Sequence, residues 1–196
     1  MIAPLPAVRG RIVSLPRLAR LLVRLRRRRP RPRVVLANGL FDLLHVGHMR
    51  YLRAAARLGD LLVVAINSDR SARALRGRGR PIVPAADRAR LVAAIDGVDY
   101  VVLFASRTVA PLLRRLRPDI QCKGTDYTEA SVPERQVVRA YGGQVRIAGD
   151  RKRHATTDLI AGLRRRFGDR GPGAGGTGRR GGGAGRSGAA EAGERS

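Results

Sequence analysis

Two histidines three positions apart, His45 and His48, close the stretch Asn38-Gly-Leu-Phe-Asp-Leu-Leu-His-Val-Gly-His48. Imidazoles at such a place can donate hydrogen bonds to phosphate oxygens and, when protonated, oppose negative charge developing on them. The apolar run Arg33-Val-Val-Leu-Ala37 comes before the stretch, and residues 46–58 follow it with a helical apolar period that stops at Gly59. The histidines therefore sit where a strand gives way to a helix. A helix start presents unpaired backbone N–H groups and the positive pole of the helix dipole, a favourable seat for phosphate. Gly47, between the histidines, lets a ligand come close to the backbone. The chemistry indicated is chemistry at a nucleotide phosphate.

Positioning these groups takes a framework, and the apolar pattern supplies one. Short runs rich in Val, Ile and Leu at 34–37, 61–67, 98–104, 119–123 and 144–148 read as strands with both faces covered. Helical patterns at 46–58, 69–75, 85–95, 109–116, 133–141 and 156–167 alternate with them. Strands and helices alternating at this spacing predict βαβ units, hence an α/β, Rossmann-like doubly wound parallel sheet of five strands. Ligands of such sheets bind beyond the carboxyl ends of the strands. Segments 38–48, 67–69, 104–107, 123–127 and 150–157 all fall there.

The 196 residues suffice for one domain with a hydrophobic core. The formal charge is +25, unevenly spread. Residues 1–33 hold eleven Arg and no acid, and residues 164–196 hold eight Arg and three acids, leaving +9 for the stretch between. That middle is only moderately basic, as suits anionic substrates. The single cysteine, Cys122, can form neither an internal disulfide nor a cysteine-built metal site, and fits a reducing compartment. No apolar run reaches the roughly 18 residues of a transmembrane helix. Arginines interrupt every apolar stretch after residue 16, so no secretory leader is read and a cytoplasmic location is expected.

Residues 1–32 read as a basic N-terminal extension. Leu15, Leu18, Leu22 and Leu25 recur at helical spacing with Arg17, Arg20 and Arg24 between them. The segment is expected to be a poorly ordered solvated arm, or a helix lying on an anionic membrane or nucleic acid; its composition also resembles an organellar transit peptide. Residues 168–196 contain twelve Gly and almost no large apolar side chain, so a disordered Gly/Arg-rich tail is expected. The folded domain spans 33–167.

With Gly39-x-Phe-Asp42 at the strand exit and the histidines at the helix start, the chain resembles the nucleotidyltransferases that share a His-x-Gly-His signature, the cytidylyltransferase-like family, over about residues 33–165. Leu58-Gly-Asp-Leu-Leu-Val-Val-Ala-Ile-Asn-Ser-Asp69 is similar to the family's second strand, which ends in an acid near nucleotide and acceptor. Arg76-Gly-Arg-Gly-Arg-Pro81 resembles a mobile Lys-Gly-x-x-Arg-Pro loop, with Arg76 keeping the charge that clamps the triphosphate. Arg88 and Val98-Asp99 match the helix and strand that follow. Lys123-Gly-Thr-Asp-Tyr127 resembles Lys-Gly-Gly-Asp-Tyr, the mark of the branch that transfers AMP to a heptose 1-phosphate. His154-Ala-Thr-Thr157 opens the last helix where relatives carry Ser-Thr-Thr; the hydroxyl missing at Ala155 is worth roughly 0.5–1.5 kcal/mol.

The resemblance implies that 33–167 is a nucleotidyltransferase domain with catalytic His45, His48 and Lys123. It implies nucleotide contacts from Gly39, Phe41, Gly47, Arg151, Thr156 and Thr157, with Arg153 as a substitute for Arg151. Acceptor contacts fall to Asp42, Asp69, Arg76, Arg88 and Asp126. The acceptor's phosphate oxygen would attack the α-phosphorus of ATP, and pyrophosphate would leave without a covalent intermediate. Mg²⁺ would travel with the triphosphate rather than in a metal site of the protein. Small-molecule substrates and a homodimer are implied, and a separate sugar kinase upstream, since 196 residues leave no room for a fused one.

Plainer roles compete at several of these positions. Asp69, Thr156 and Thr157 fit helix caps, Asp99 a strand end, Arg78 and Arg80 a solvated loop, and Cys122 core packing. The preferred acceptor is D-glycero-β-D-manno-heptose 1-phosphate. The alternative within the family is a cytidylyltransferase acting on glycerol 3-phosphate or phosphoethanolamine; Lys123 before Gly124 argues for the heptose branch, and Thr125 in place of Gly weakens that argument. Another sugar 1-phosphate is also open. A basic nucleic-acid-binding protein without catalysis is a reading of a different class. Against it, the charge lies in the tails, three Phe and four Tyr offer few stacking surfaces, and no recognition motif appears.

Overall fold

The computed structural model describes residues 10–149 and residue 166. Arg151, Thr156, Thr157 and the tail 168–196 lie outside the described residues, as does the last expected helix apart from Arg166. In chain order the elements are β1 (Arg11–Ile12), α1 (Leu15–Leu25), β2 (Val34–Gly39), α2 (Val46–Ala56), β3 (Leu61–Asn67) and α3 (Asp69–Arg76). They continue with α4 (Ala85–Ala93), β4 (Tyr100–Phe104), α5 (Ala110–Leu116), β5 (Ile120–Lys123), α6 (Arg135–Ala140) and β6 (Gln144–Ile147).

The strands form one parallel sheet in the order β1-β4-β3-β2-β5-β6. From β2 the chain steps outward through β3 to β4, then returns to the other side of β2 for β5 and β6. Helices cover both faces. Tyr51 and Leu52 of α2 and Ala89 and Val92 of α4 pack with Val35, Ala37, Val64 and Cys122 on one face. Leu18 and Leu22 of α1, Leu112 and Leu113 of α5 and Val138 of α6 pack with Val34, Leu36, Val63 and Ala65 on the other. Successive strand residues point to opposite faces, so burial on both sides requires the unbroken apolar runs seen in β2 and β3.

The α/β doubly wound fold is as expected, with one correction in strand number and one in the N-terminal segment. The sheet has six strands, not five: Arg11 and Ile12 pair with Tyr100 and Val101 at the edge of the sheet. A two-residue strand carries no period for a sequence pattern to show. Among the described residues, the leucine stripe of α1 is packed on the chain's own core and does not belong to a solvated arm. Leu18 and Leu22 are fully buried, and Leu15 and Leu25 pack partly against the same core, while Arg17, Arg20 and Arg24 stay exposed. An apolar helical stripe fits any apolar groove, and here β4 and α5 supply one. Burying two leucines contributes roughly 1.5–3 kcal/mol each toward the cost of ordering the helix, and the partly buried Leu15 and Leu25 add to it. Gly10 lies against the end of α4 so closely that an added Cβ would come within 2.3 Å of the Ala93 carbonyl oxygen.

Candidate active site

The direction of winding reverses between the neighbours β2 and β5. The connection leaving β2 leads to α2 on one face, and the one leaving β5 leads to α6 on the other. Outside the carboxyl ends of these strands the two connections diverge and open a crevice, where ligands of doubly wound sheets bind. The residues at its mouth are Asn38 and Gly39 from β2, His45 and His48 from the start of α2, and Lys123 with the loop after β5.

His45 is the N-cap of α2, with extended backbone at φ −143° and ψ 170°. Its Nδ1 accepts the Gly47 N–H at 3.2 Å. An imidazole nitrogen that accepts carries no proton, so the neutral ring bears its proton on Nε2 and donates from there. The His48 ring stacks on His45, with centroids 3.9 Å apart and planes tilted by 30°. Phe41 meets the His48 ring edge-on at 5.1 Å. Phe41 is a buried residue at φ 52°, a left-handed conformation that costs a bulky L-residue about 1–2 kcal/mol. That strain places its ring under His48. Gly39 leaves room for this ring, since an added Cβ would stand 3.0 Å from it and push it aside by a few tenths of an ångström. Both residues were expected at the nucleotide; the structure places them in support of the histidines.

Lys123 ends β5 and is largely buried. Its ammonium lies 3.6 Å from a Glu134 carboxylate oxygen and 5.2 Å from the centre of the Tyr127 ring. Burial pulls its pKa below the ordinary lysine value, and the Glu134 charge pulls it back up. Asp126 lies exposed in the same loop. The two walls of the crevice are tied together by the buried Tyr51 hydroxyl of α2, which donates to the Cys122 carbonyl of β5 at 2.7 Å. The Cys122 thiol is packed in the core, and burial pushes it up to about 12, so it offers no thiolate nucleophile near neutrality.

Three residues expected to touch the acceptor, Asp42, Asp69 and Arg88, hold the loop between α3 and α4. Arg88 is wholly buried. Its Nε donates to Val83 O at 2.8 Å, its Nη1 to Leu40 O at 2.6 Å and its Nη2 to Asp69 at 2.8 Å. Asp69 also accepts the Ala85 N–H at 2.8 Å, bracing the start of α4, while the cap of α3 is Ser68, whose hydroxyl accepts from Ser71 N at 3.3 Å. Asp42 accepts from Arg80 at 2.7 Å, Ile82 N at 2.7 Å and Val83 N at 3.0 Å. Arg80 is therefore a latch rather than a solvated side chain. Arg76 is exposed at the end of α3. Beside the loop, Asp69, Arg73, Arg80 and Ile82 line a cleft of about 350 Å³. Asp99 does serve a strand end: its carboxylate accepts the Leu62 N–H at 2.8 Å, at the opposite edge of the sheet from the crevice.

The Asp42 latch has a pH signature. Burial alone would raise the carboxyl pKa, but the hydrogen bonds from Val83, Arg80 and Ile82 together hold it below the ordinary value. A depressed pKa means that the latch contributes fully above the unfolded value of about 3.9 and is lost as pH falls through the lower folded one. The amide resonances of Ile82 and Val83 are expected to titrate together with a midpoint below about pH 3.9, and to stop titrating in Asp42→Asn. A midpoint at or above the ordinary value overturns this assignment.

Sequence reasoning overlooked Glu134 and Tyr51, which stand in no recognisable motif, and the latching role of Arg80, whose motif does not show which carboxylate it meets. It also passed over Asn38, whose buried Oδ1 has no protein donor among the described residues, although the residue opens the histidine stretch.

This crevice has counterparts in known proteins. Residues 36–164 match the family model described as cytidylyltransferase-like. The chain belongs to the cytidylyltransferase-like family. It carries the nucleotidyltransferase domain of that family, with His-x-Gly-His at the start of α2. Among its relatives is the bifunctional protein HldE of Geobacter sulfurreducens, 45% identical over 137 residues, covering 70% of this chain and 28% of the relative. HldE of Koribacter versatilis is 46% identical over 155 residues, 79% of this chain and 32% of the relative. The chain thus spans less than a third of the length of these relatives. A crystal structure of the lipopolysaccharide core biosynthesis protein from Thermoplasma volcanium aligns with a TM-score of 0.50 at 30% identity, covering 59% of this chain and 93% of that one. Among the described residues, no helix is long and apolar enough to cross a membrane.

Proposed function

We propose that this cytidylyltransferase-like domain transfers AMP from ATP to a sugar 1-phosphate, D-glycero-β-D-manno-heptose 1-phosphate, giving ADP-heptose and pyrophosphate. The observation that carries the reading is the stacked His45–His48 pair at the start of α2, facing across the β2/β5 crevice the side from which Lys123 enters. The acceptor's phosphate oxygen attacks the α-phosphorus, and the bond to the departing pyrophosphate breaks. His45 Nε2 and the His48 ring donate to α-phosphate oxygens as charge builds there, while Lys123 meets phosphate charge from the opposite wall. Arg151, Thr156 and Thr157 hold the triphosphate, and Arg76 and Asp126 are the remaining candidates for contact with the acceptor or ribose.

The carboxylates around the crevice fit a metal that arrives with its nucleotide. Asp42 and Asp69 are engaged by hydrogen-bond donors, and in this reading Mg²⁺ would enter with ATP as part of the substrate. The relatives bear a name that assigns them two functions, and this chain matches 28–32% of their length. The chain corresponds to one of those functions in this reading. A sugar kinase supplies the 1-phosphate, a homodimer is the working assembly, and the cytoplasm, where ATP is abundant, is the setting.

The family description favours one second reading, transfer of CMP from CTP to glycerol 3-phosphate or phosphoethanolamine. Pyrophosphate release by the full chain with Mg²⁺ separates the two. Release with ATP and heptose 1-phosphate, but not with CTP, is the expected result. Release only with CTP and an alcohol phosphate moves the protein to the other branch, and no release with any pair overturns the reading.

A further inference from the structure

The chain contains 40 Lys and Arg, and all but Lys123 and Lys152 are Arg. A lysine at the end of β5 is thus an exception to the chain's own usage, and its surroundings give a physical reason. Lys123 sits in a largely buried position with Glu134, itself largely buried, 3.6 Å away. The same Glu134 oxygen accepts from Gln121 Nε2 at 3.4 Å. Gln121 and Lys123 are two positions apart on β5 and so share a face, which brings both to Glu134 in the connection leading into α6. A compact ammonium needs few partners in so confined a place, whereas a guanidinium would bring five N–H donors in a rigid fork. Glu134 makes no capping hydrogen bond to α6, so the start of that helix does not account for it. Its nearest partners are the two β5 side chains.

We propose that Glu134 is the positioning residue for Lys123: it keeps the ammonium charged while dry and holds it at the mouth of the crevice, where it meets the phosphate groups of the substrate. The role in phosphate binding rests on the function proposed above; the Glu134–Lys123 coupling does not. Other charged groups lie on the elements packed around the pair. Arg146 of β6 is tied to Glu129 at 3.3 Å, Arg135 and Arg139 belong to α6, and Asp126 and Tyr127 lie in the loop after β5. Among the described residues, Glu134 is the carboxylate in ion-pair contact with Lys123, so its removal takes away the charge that offsets a buried cation.

The test is Glu134→Gln in the full chain, a change that keeps the shape of the side chain and an acceptor for Gln121 while removing the charge. Lysine labelled with ¹³C at Cε gives only two side-chain signals, and that of Lys123 is assigned by its loss in Lys123→Arg. The Lys123 signal is expected to titrate at least about one pH unit lower in Glu134→Gln than in the wild type. Turnover of the variant is expected to fall about tenfold at neutral pH, with little change in KM for the nucleotide. It should fall further toward alkaline pH, where the wild type holds level. A Lys123 titration unmoved by the substitution overturns the proposal, as does a wild-type pH profile in an active variant. The titration needs no substrate. A wild type that releases no pyrophosphate therefore overturns the functional reading alone, and the titration still decides Glu134.

Discussion

Replacing His48 by alanine is expected to lower kcat by about 10²–10³-fold, with KM for the nucleoside triphosphate changed only a few-fold. The imidazole stands at the helix start with one face on His45 and its edge toward Phe41. It is held before any ligand arrives, so it can stabilise charge in the transition state without reorganising. Ground-state binding of ATP has other sources, in Lys123 and the helix start itself, which is why KM should move little. The substitution removes a ring that is only partly buried, and the midpoint of thermal unfolding should stay within a few degrees of wild type. Steady-state pyrophosphate release measured beside that midpoint separates the two effects. An unaltered kcat in a folded variant removes His48 from the mechanism, whereas a loss matched by unfolding shows that the ring only packs.

The largest stability effect is expected at Arg88. Arg88→Ala should cost about 3–5 kcal/mol, because it leaves the Leu40 and Val83 carbonyls without their donor and takes from Asp69 its ion-pair partner, leaving only the Ala85 N–H. At roughly 2–4 °C per kcal/mol for a domain of this size, the midpoint should fall by about 10 °C. Arg88→Lys should recover little, since one ammonium cannot span acceptors on three segments as the planar fork does. Denaturant unfolding with an unchanged slope would confirm that the loss lies in the native state. A loss under about 1 kcal/mol would show that water replaces the guanidinium. Arg88 joins the turn after β2, the loop before α4 and the first residue of α3, so its removal should also loosen the floor of the crevice.

Part of this protein was written along the chain. The parallel sheet was legible because strands buried on both faces must be continuously apolar, and β2 and β3 are. The candidate site was legible because two histidines, a glycine and a helix start form one contiguous segment, and contiguity is what a sequence displays. Cys122 in the core followed from the same apolar pattern.

Other features depended on partners distant in sequence. Whether the leucine stripe of α1 meets solvent, a membrane or its own sheet depends on the groove offered by β4 and α5, roughly 80 residues further along. Asp42, Asp69 and Arg88 have the residue types of a substrate site, and only their hydrogen bonds show that they hold a loop. Polar residues near a site look alike in sequence whether they face a ligand or a neighbouring carbonyl, because burial is a property of the fold. Glu134 shows this most sharply. It stands eleven positions after Lys123, in no motif, and the two become partners when the chain leaving β5 turns back toward that strand to start α6.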